Sequence, residues 1–400
     1  MNTLFKAYCR TIQGVFRLAL PLLPYRKPEL LEGPEGAAAC LLERDIRRVL
    51  LVTGPKVRAL GLTASLEHAL EKAGIACAVY DRTETNPTLR NAEEARALYL
   101  REDCRAIIAL GGGSPMDCAK AAGARIVRPG RDLTQMKGLL KVWRPLPPFI
   151  AIPTTAGSGS ETTLAAVVVD EKTRFKYPIN DFVLIPHYAL LDPQLTVTLP
   201  PSVTAQTGMD ALTHAVEAYI GRSTTAETRK DALEAVGLIF GSLETAYERG
   251  DDLEARGRML RASYLAGCAF TKSYVGYVHA VAHSLGGQYD LPHGLLNAIL
   301  LPVVLEAYGD AVHATLLDLA RAANLVPPGV SPGEGAERFI GAVREMNRRF
   351  GIPETIPELR REDIPHLAHL ADREANPLYP VPILWDETEL RDIYTAVLAG

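Results

Sequence analysis

Between residues 47 and 200 the chain alternates short apolar runs with longer stretches of helical periodicity; beyond residue 200 the short runs stop. Residues 48–53, 75–80 and 105–110 read as buried strands. Residues 60–73 and 91–101 read as helices, the first ending at Gly74 as a C-terminal stop. Strand, helix, strand, helix, strand at this spacing implies a parallel sheet with right-handed crossovers. Apolar runs at 149–152, 165–169 and 182–191 extend or flank that sheet, with a turn expected at 170–173 between two of them. From residue 202 the segments are long, rich in Ala, Leu and Glu, and broken at Gly250-Asp251, Pro327-Pro328-Gly329 and Pro353. The pattern predicts an apolar extension over 1–30, an α/β half over 31–198 and an all-helical half over 199–400.

Composition narrows this little. A chain of 400 residues with 48% hydrophobic and 22% charged residues and a net charge of −4 is an ordinary soluble globular protein. It carries no electrostatic footprint for nucleic acid. Six scattered cysteines without a CxxC pair fit a reduced, cytoplasmic chain. Residues 12–23 are largely apolar but short of a membrane span and interrupted or flanked by Arg10, Arg17, Arg26 and Lys27. An amphipathic helix packed on the body or on a partner subunit is preferred there to peripheral membrane contact, and a signal peptide ranks last.

Chemistry enters at two places. At 107–117 a strand runs into Gly111-Gly112-Gly113-Ser114-Pro115, where three glycines allow a close turn, Ser114 can cap and Pro115 can open a helix. Free amides at such a helix start suit a phosphate, although the run is neither GxGxxG nor a Walker loop. A second polar turn, 153–161, also follows a buried strand, and the two together suggest one extended nucleotide groove. In the helical half, Asp210 and His214 stand four residues apart, as do His279 and His283, so each pair shares a helix face. His293, between Pro292 and Gly294, is expected on a turn aimed at the same point. One carboxylate and several imidazoles suit iron or zinc better than calcium or magnesium. HAVAH at 279–283 lacks the glutamate of HExxH, which leaves hydrolysis without a general base. His283 is then a fifth ligand, a packed neighbour or, preferably, a proton relay, and Glu217 is a supporting or structural group on the same face.

Taken together, GGGSPMDCAK (111–120), PTTAGSGSE (153–161), Leu191-Asp192-Pro193, TGMDALTHAVEAY (207–219), HAVAHSLGG (279–287) and LPHG (291–294) resemble the iron-containing (group III) alcohol dehydrogenase family. The resemblance implies an N-terminal α/β domain with a parallel sheet, of the dehydroquinate synthase-like kind, and an all-α C-terminal domain. It makes Asp210, His214, His279 and His293 metal ligands, for Fe(II) with zinc as the alternative. It places the cofactor diphosphate on Gly111, Gly112, Gly113 and Ser114, with Asp117 and Lys120 nearby, and more of the cofactor on Thr154, Thr155, Ser158 and Lys176. Phe270 falls at a substrate-pocket position. The activity implied is hydride transfer between nicotinamide C4 and an alcohol or carbonyl held on the metal, with a small alcohol or aldehyde as substrate. Polyol dehydrogenation, or a non-catalytic sensor role, is the alternative. Three departures matter. Gly54 stands where NAD-preferring members resemble Val-Thr-Asp, and losing that carboxylate favours NADP(H) over NAD(H). Lys272 stands where many relatives are small or neutral, as a solvated residue or a contact for an anionic substrate. The apolar N-terminal segment is longer than the short opening strand expected, and suggests a subunit contact in a homodimer or larger homo-oligomer.

Overall fold

In the computed structural model, which describes residues 1, 3–173 and 175–399, the chain divides into two compact units. One is Pro24–Val197; the other joins Met1–Leu23 to Thr198–Gly400. The extension expected over 1–30 is therefore not a separate element, because polar bonds and strand pairing claim its two ends. Helix α1 (Thr3–Ala19) is fastened to the helical unit. Arg10 donates to the carbonyls of Val381 and Pro382, both at 2.8 Å, and Gln13 donates to those of Pro377 and Tyr379 at 3.2 and 2.7 Å. Strand β1 (Glu29–Leu31) joins the sheet of the other unit; its short, mostly exposed sequence gives no strand signal.

The α/β unit continues with α2 (Gly33–Leu42), β2 (Arg48–Val52), α3 (Pro55–Ala59), α4 (Ala64–Lys72), β3 (Ala76–Tyr80), α5 (Leu89–Arg101), β4 (Ala106–Gly111) and α6 (Gly113–Val127). After these come β5 (Gly138–Leu139), β6 (Phe149–Pro153), β7 (Ala165–Asp170), β8 (Phe175–Asn180) and β9 (Tyr188–Leu190). Six strands form one parallel sheet in the order β1-β9-β6-β4-β2-β3. Alternate residues feed two cores, as the pleat requires. Val49, Leu51, Ile108, Leu110, Ile150 and Ile152 pack under α2 and α4. Leu50, Val52, Ile107, Ala109, Phe149 and Ala151 pack under α5 and α6. Such continuous apolar strands explain why periodicity located them.

Two expectations fail locally, and a third holds with an unexpected continuation. The helix expected over 60–73 spans only Ala64–Lys72, because residues 60–63 form a turn in which Gly61 (φ +69°) takes a conformation that glycine adopts without Cβ strain. The turn expected at 170–173 is present, but it leads into an unexpected strand, β8, which pairs antiparallel with β7 in a separate three-stranded sheet, β5-β8-β7. The apolar run 182–191 splits into a 3₁₀ turn, Phe182–Leu184, and β9.

The helical unit contains α7 (Pro201–Ile220), α8 (Ala226–Glu248), α9 (Leu253–Ser273), α10 (Tyr277–Tyr289), α11 (His293–Tyr308), α12 (His313–Ala322), α13 (Pro332–Arg349), α14 (Ile364–Ala375) and α15 (Glu387–Ala396). The stretch His293–Ala322 is apolar and long enough to cross a membrane. Here it is core: Leu296, Leu300, Leu301, Val304 and Leu319 are fully enclosed. Close approach of α7 to α8 is set by Gly208, where a Cβ would meet Leu243 Cδ1 at 2.3 Å.

Candidate metal and cofactor sites

Three helices deliver the metal donors expected from the sequence. Helix α7 carries Asp210 and His214 one turn apart, α10 carries His279 and His283, and α11 opens with His293. His293 is thus the first helical residue after Pro292, not part of a free turn, so its ring is aimed by the start of a helix. Donor atoms of Asp210, His279 and His293 all lie within 4.8 Å of one another. From Asp210 Oδ1, His293 Nε2 is 3.5 Å away and His279 Nε2 4.0 Å. The His214 ring stacks at 4.5 Å on His279 and at 4.0 Å on Phe270, which puts Phe270 at the site as expected.

Glu217, one turn beyond His214, fixes His279. Its carboxylate accepts from the backbone amides of Gly276 and Val278, both at 2.8 Å, and lies 2.5 Å from His279 Nδ1. Burial holds His279 well below its usual 6.5, and the neighbouring histidines reinforce this. A neutral His279 donates Nδ1–H to Glu217, which leaves the Nε2 lone pair facing Asp210 and His293. Burial also pushes Glu217 up to about 7, against the pull of its amide donors. Gly276 makes room: a Cβ there would stand 2.7 Å from Glu217 Oε1.

Two further groups were not anticipated. Asn297, fully buried one turn after His293, points its amide nitrogen at the donors. It lies 2.7 Å from Asp210 Oδ1, 3.0 Å from His293 Nε2 and 3.2 Å from His279 Nε2. The i, i+4 spacing from His293 was a signal that could have found it. Glu374 of α14 lies 2.6 Å from His283 Nδ1 and accepts from the Tyr379 hydroxyl at 2.7 Å. No sequence spacing marks that pairing across 91 residues. The His283 ring stacks on His293 at 5.1 Å, so His283 borders the donors and leads away from them toward Glu374. Lys272 pairs with Glu227 of α8 at 2.7 Å, which favours its plain structural reading.

The donor chemistry fits a divalent transition metal: one buried carboxylate with several imidazoles. Asn297 Oδ1, buried without a hydrogen-bond partner, is a further oxygen beside the donors.

The α/β unit builds the second site at the carboxyl ends of β2, β4 and β6. Gly111 (φ +154°) turns the chain sharply, and a Cβ there would strike the Pro115 ring at 2.6 Å. That early turn starts α6 at Gly113 with Gly112 as its cap residue, two positions before the expected start. Ser114 therefore lies inside the first turn and caps nothing; no side chain closes this helix end. The open amides suit an anion. Facing them, Thr155 Oγ1 stands 3.4 Å from where a Gly112 Cβ would be, and Ser158 Oγ 3.5 Å from that of Gly113. Thr154 N donates to Gly111 O at 3.0 Å and ties the two loops together. Gly54 ends β2 beside the same Pro115 ring, 4.0 Å from its own Cβ position. Lys176 on β8 donates to Asn86 at 2.7 Å.

Asp117 and Lys120 are differently employed. Asp117 accepts from Ser160 Oγ at 3.1 Å and from Val167 N at 3.2 Å. The Lys120 ammonium is fully buried within 2.9 Å of the carbonyls of Ser160, Thr163 and Ala165. Both brace the second loop instead of facing a ligand. Burial lowers Lys120 to about 8, so it remains largely charged near neutrality. Lys120→Met should leave those carbonyls unpaired and lower stability by roughly 3 kcal/mol. Denaturant midpoints at an unchanged m-value would show it.

Comparison with known proteins gives the family. Residues 35–193 match the family model for iron-containing alcohol dehydrogenase, and residues 204–398 match that for the C-terminal part of the Fe-containing alcohol dehydrogenase family. The 1,3-propanediol dehydrogenase of Klebsiella pneumoniae is 39% identical over 352 residues, covering 87% of this chain and 90% of that protein. The NAD-dependent methanol dehydrogenase of Bacillus methanolicus is 36% identical over 324 residues, covering 80% and 85%. A crystal structure of 1,3-propanediol oxidoreductase superposes with a TM-score of 0.88 at 35% identity, covering 94% of this chain and 99% of that one. With both halves matched along their length, the chain belongs to the iron-containing alcohol dehydrogenase family, a metal-dependent alcohol and aldehyde oxidoreductase.

Proposed function

We propose that this chain interconverts a short-chain alcohol or diol and its aldehyde with NADP(H), using Fe(II) held by Asp210, His214, His279 and His293. The carrying observation is the convergence of the Asp210, His279 and His293 donor atoms within 4.8 Å on three helices. When bound, the metal supplies Lewis acidity at the substrate oxygen and the nicotinamide supplies or accepts the hydride. The chain's own groups do the rest. Glu217 locks His279 in the tautomer that presents Nε2. Phe270 stacks on the His214 ring and gives that ligand an apolar backing. His283, hydrogen-bonded to Glu374 and through it to Tyr379, offers a route for the proton released with each alcohol oxidised. The open start of α6, with Thr155 and Ser158 opposite, is the seat for the diphosphate.

Iron is preferred to zinc on the family's description, against the intrinsic affinity order, which favours zinc. A relative named for NAD dependence shows that the family admits the other cofactor. Support for NADP(H) comes from Gly54, which puts no carboxylate at the end of β2. Free cysteines at all six positions accord with a reducing cytoplasm.

Following reduced-nicotinamide absorbance with 1,3-propanediol, methanol and short aldehydes tests the reading. Turnover with at least one of them, with a larger kcat/KM for NADP(H), is expected. Inertness to the whole panel in metal-loaded protein would refute the enzyme reading, and a preference of ~100-fold for NAD(H) would refute the cofactor choice.

A further inference from the structure

Helix α1 packs Cys9 and Phe16 inward yet also turns a second apolar stripe to solvent. Surface helices usually turn an apolar stripe to the core and a polar face to water. Here Gln13 is buried and Arg10 half-buried, and their hydrogen bonds to the 377–382 segment point inward. Leu4, Tyr8, Val15 and Leu18 point outward, and Leu22 continues their line beyond the helix; each is between 51% and 86% exposed. Their spacing of four, seven, three and four residues places them on one helical face. An apolar face held outward by specific polar anchors calls for a covering surface.

The charge pattern says which. Residues 1–28 contain Lys6, Arg10, Arg17, Arg26 and Lys27 and no acidic residue, in a chain whose net charge is −4. Arg10 is occupied by carbonyls, whereas Lys6 and Arg17 are exposed. A second copy of α1 laid against this face would bring the same cations and no acid to meet them, which disfavours self-pairing. A sheet of phosphates supplies the opposite charge, with an apolar layer just beneath it.

We propose that α1 is a docking surface for an anionic phospholipid bilayer. It lies in the plane of the interface, with Leu4, Tyr8, Val15, Leu18 and Leu22 below the phosphates and Lys6 and Arg17 on its polar side among them. The helix does not cross the bilayer: its 17 residues include three cations. The enzyme is held at the membrane while its metal and nucleotide sites, built from other elements, are unaffected.

Flotation of the full-length protein with vesicles tests this. Binding to phosphatidylglycerol–phosphatidylcholine vesicles is expected, with at least about tenfold weaker partition to pure phosphatidylcholine or in 1 M salt. Leu4→Glu/Leu18→Glu and Lys6→Glu/Arg17→Glu should each lose flotation by a similar factor, with thermal midpoint and alcohol dehydrogenase activity at wild-type values. All four side chains are exposed, so folding is not at stake. Absence of flotation with anionic vesicles, or flotation unchanged in both variants, overturns the proposal. So does a smaller assembly by light scattering in Leu4→Glu/Leu18→Glu without any lipid binding by the wild type, which would assign the face to a second copy of the chain.

Discussion

Asp210→Ala is expected to yield a folded protein that retains no stoichiometric metal and turns over about 10³-fold more slowly or worse. Asp210 is the one carboxylate among the clustered donors, and without it two imidazole nitrogens face the Asn297 amide with no negative charge to hold a cation. Lewis-acid stabilisation of several kcal/mol goes with the metal, and ~4 kcal/mol corresponds to the stated factor. Asn297 also loses its shortest acceptor, so the metal-free variant should be less stable by about 1–3 kcal/mol. Metal analysis, kcat/KM and a denaturation curve on one preparation separate these effects. Metal at wild-type stoichiometry in Asp210→Ala would remove that residue from the ligand set. His279→Ala should lose metal and turnover in the same way.

The second large effect is expected at a residue with no functional group. Gly294 directly follows His293 and packs against α7 so closely that a Cβ would lie 2.3 Å from Gln206 O and 2.8 Å from its carbonyl carbon. Backbone cannot yield as a flexible side chain can. Gly294→Ala must therefore push the start of α11 away from α7, on the turn that precedes Asp210. The 3.5 Å separation between His293 Nε2 and Asp210 Oδ1 should widen. Overpacking of this kind costs about 1–3 kcal/mol, and misplacing one ligand should weaken metal binding by about 10–100-fold. Competition with a chromophoric chelator measures the affinity. An unchanged affinity together with a lowered thermal midpoint would mean that the site tolerates the shift, and that the rigidity assigned to it here is wrong.

The parts legible in the sequence share one physical property: they are set by local pattern. Strands β2, β4 and β6 are continuous apolar runs because helices cover both faces of the sheet, so periodicity located them to within a residue or two. The i, i+4 pair Asp210 and His214 sits where a helix must put it. What was illegible depends on contacts distant in the chain. Glu374 reaches His283 only because α14 packs on α10, and nothing near either residue records that. Strand β1 owes its existence to the β9 edge and not to its own three residues. The family resemblance puts Lys120 near the cofactor. Its one-helix-turn offset from Met116 instead buries it under the second loop, where five oxygens enclose its ammonium. Residues 60–63 read as helix because their apolar spacing is helical, and Gly61 overrides it.

The most direct test of a metal-dependent oxidoreductase centred on Asp210, His279 and His293 is removal and return of the metal in the wild-type protein. The protein is stripped with a chelator, freed of it and assayed anaerobically with 1,3-propanediol, before and after one equivalent of Fe(II) or Zn(II). Activity should vanish in the stripped protein and return with added metal, more fully with Fe(II), while Asp210→Ala treated in parallel regains nothing. Full turnover by protein shown to contain no metal would contradict the account.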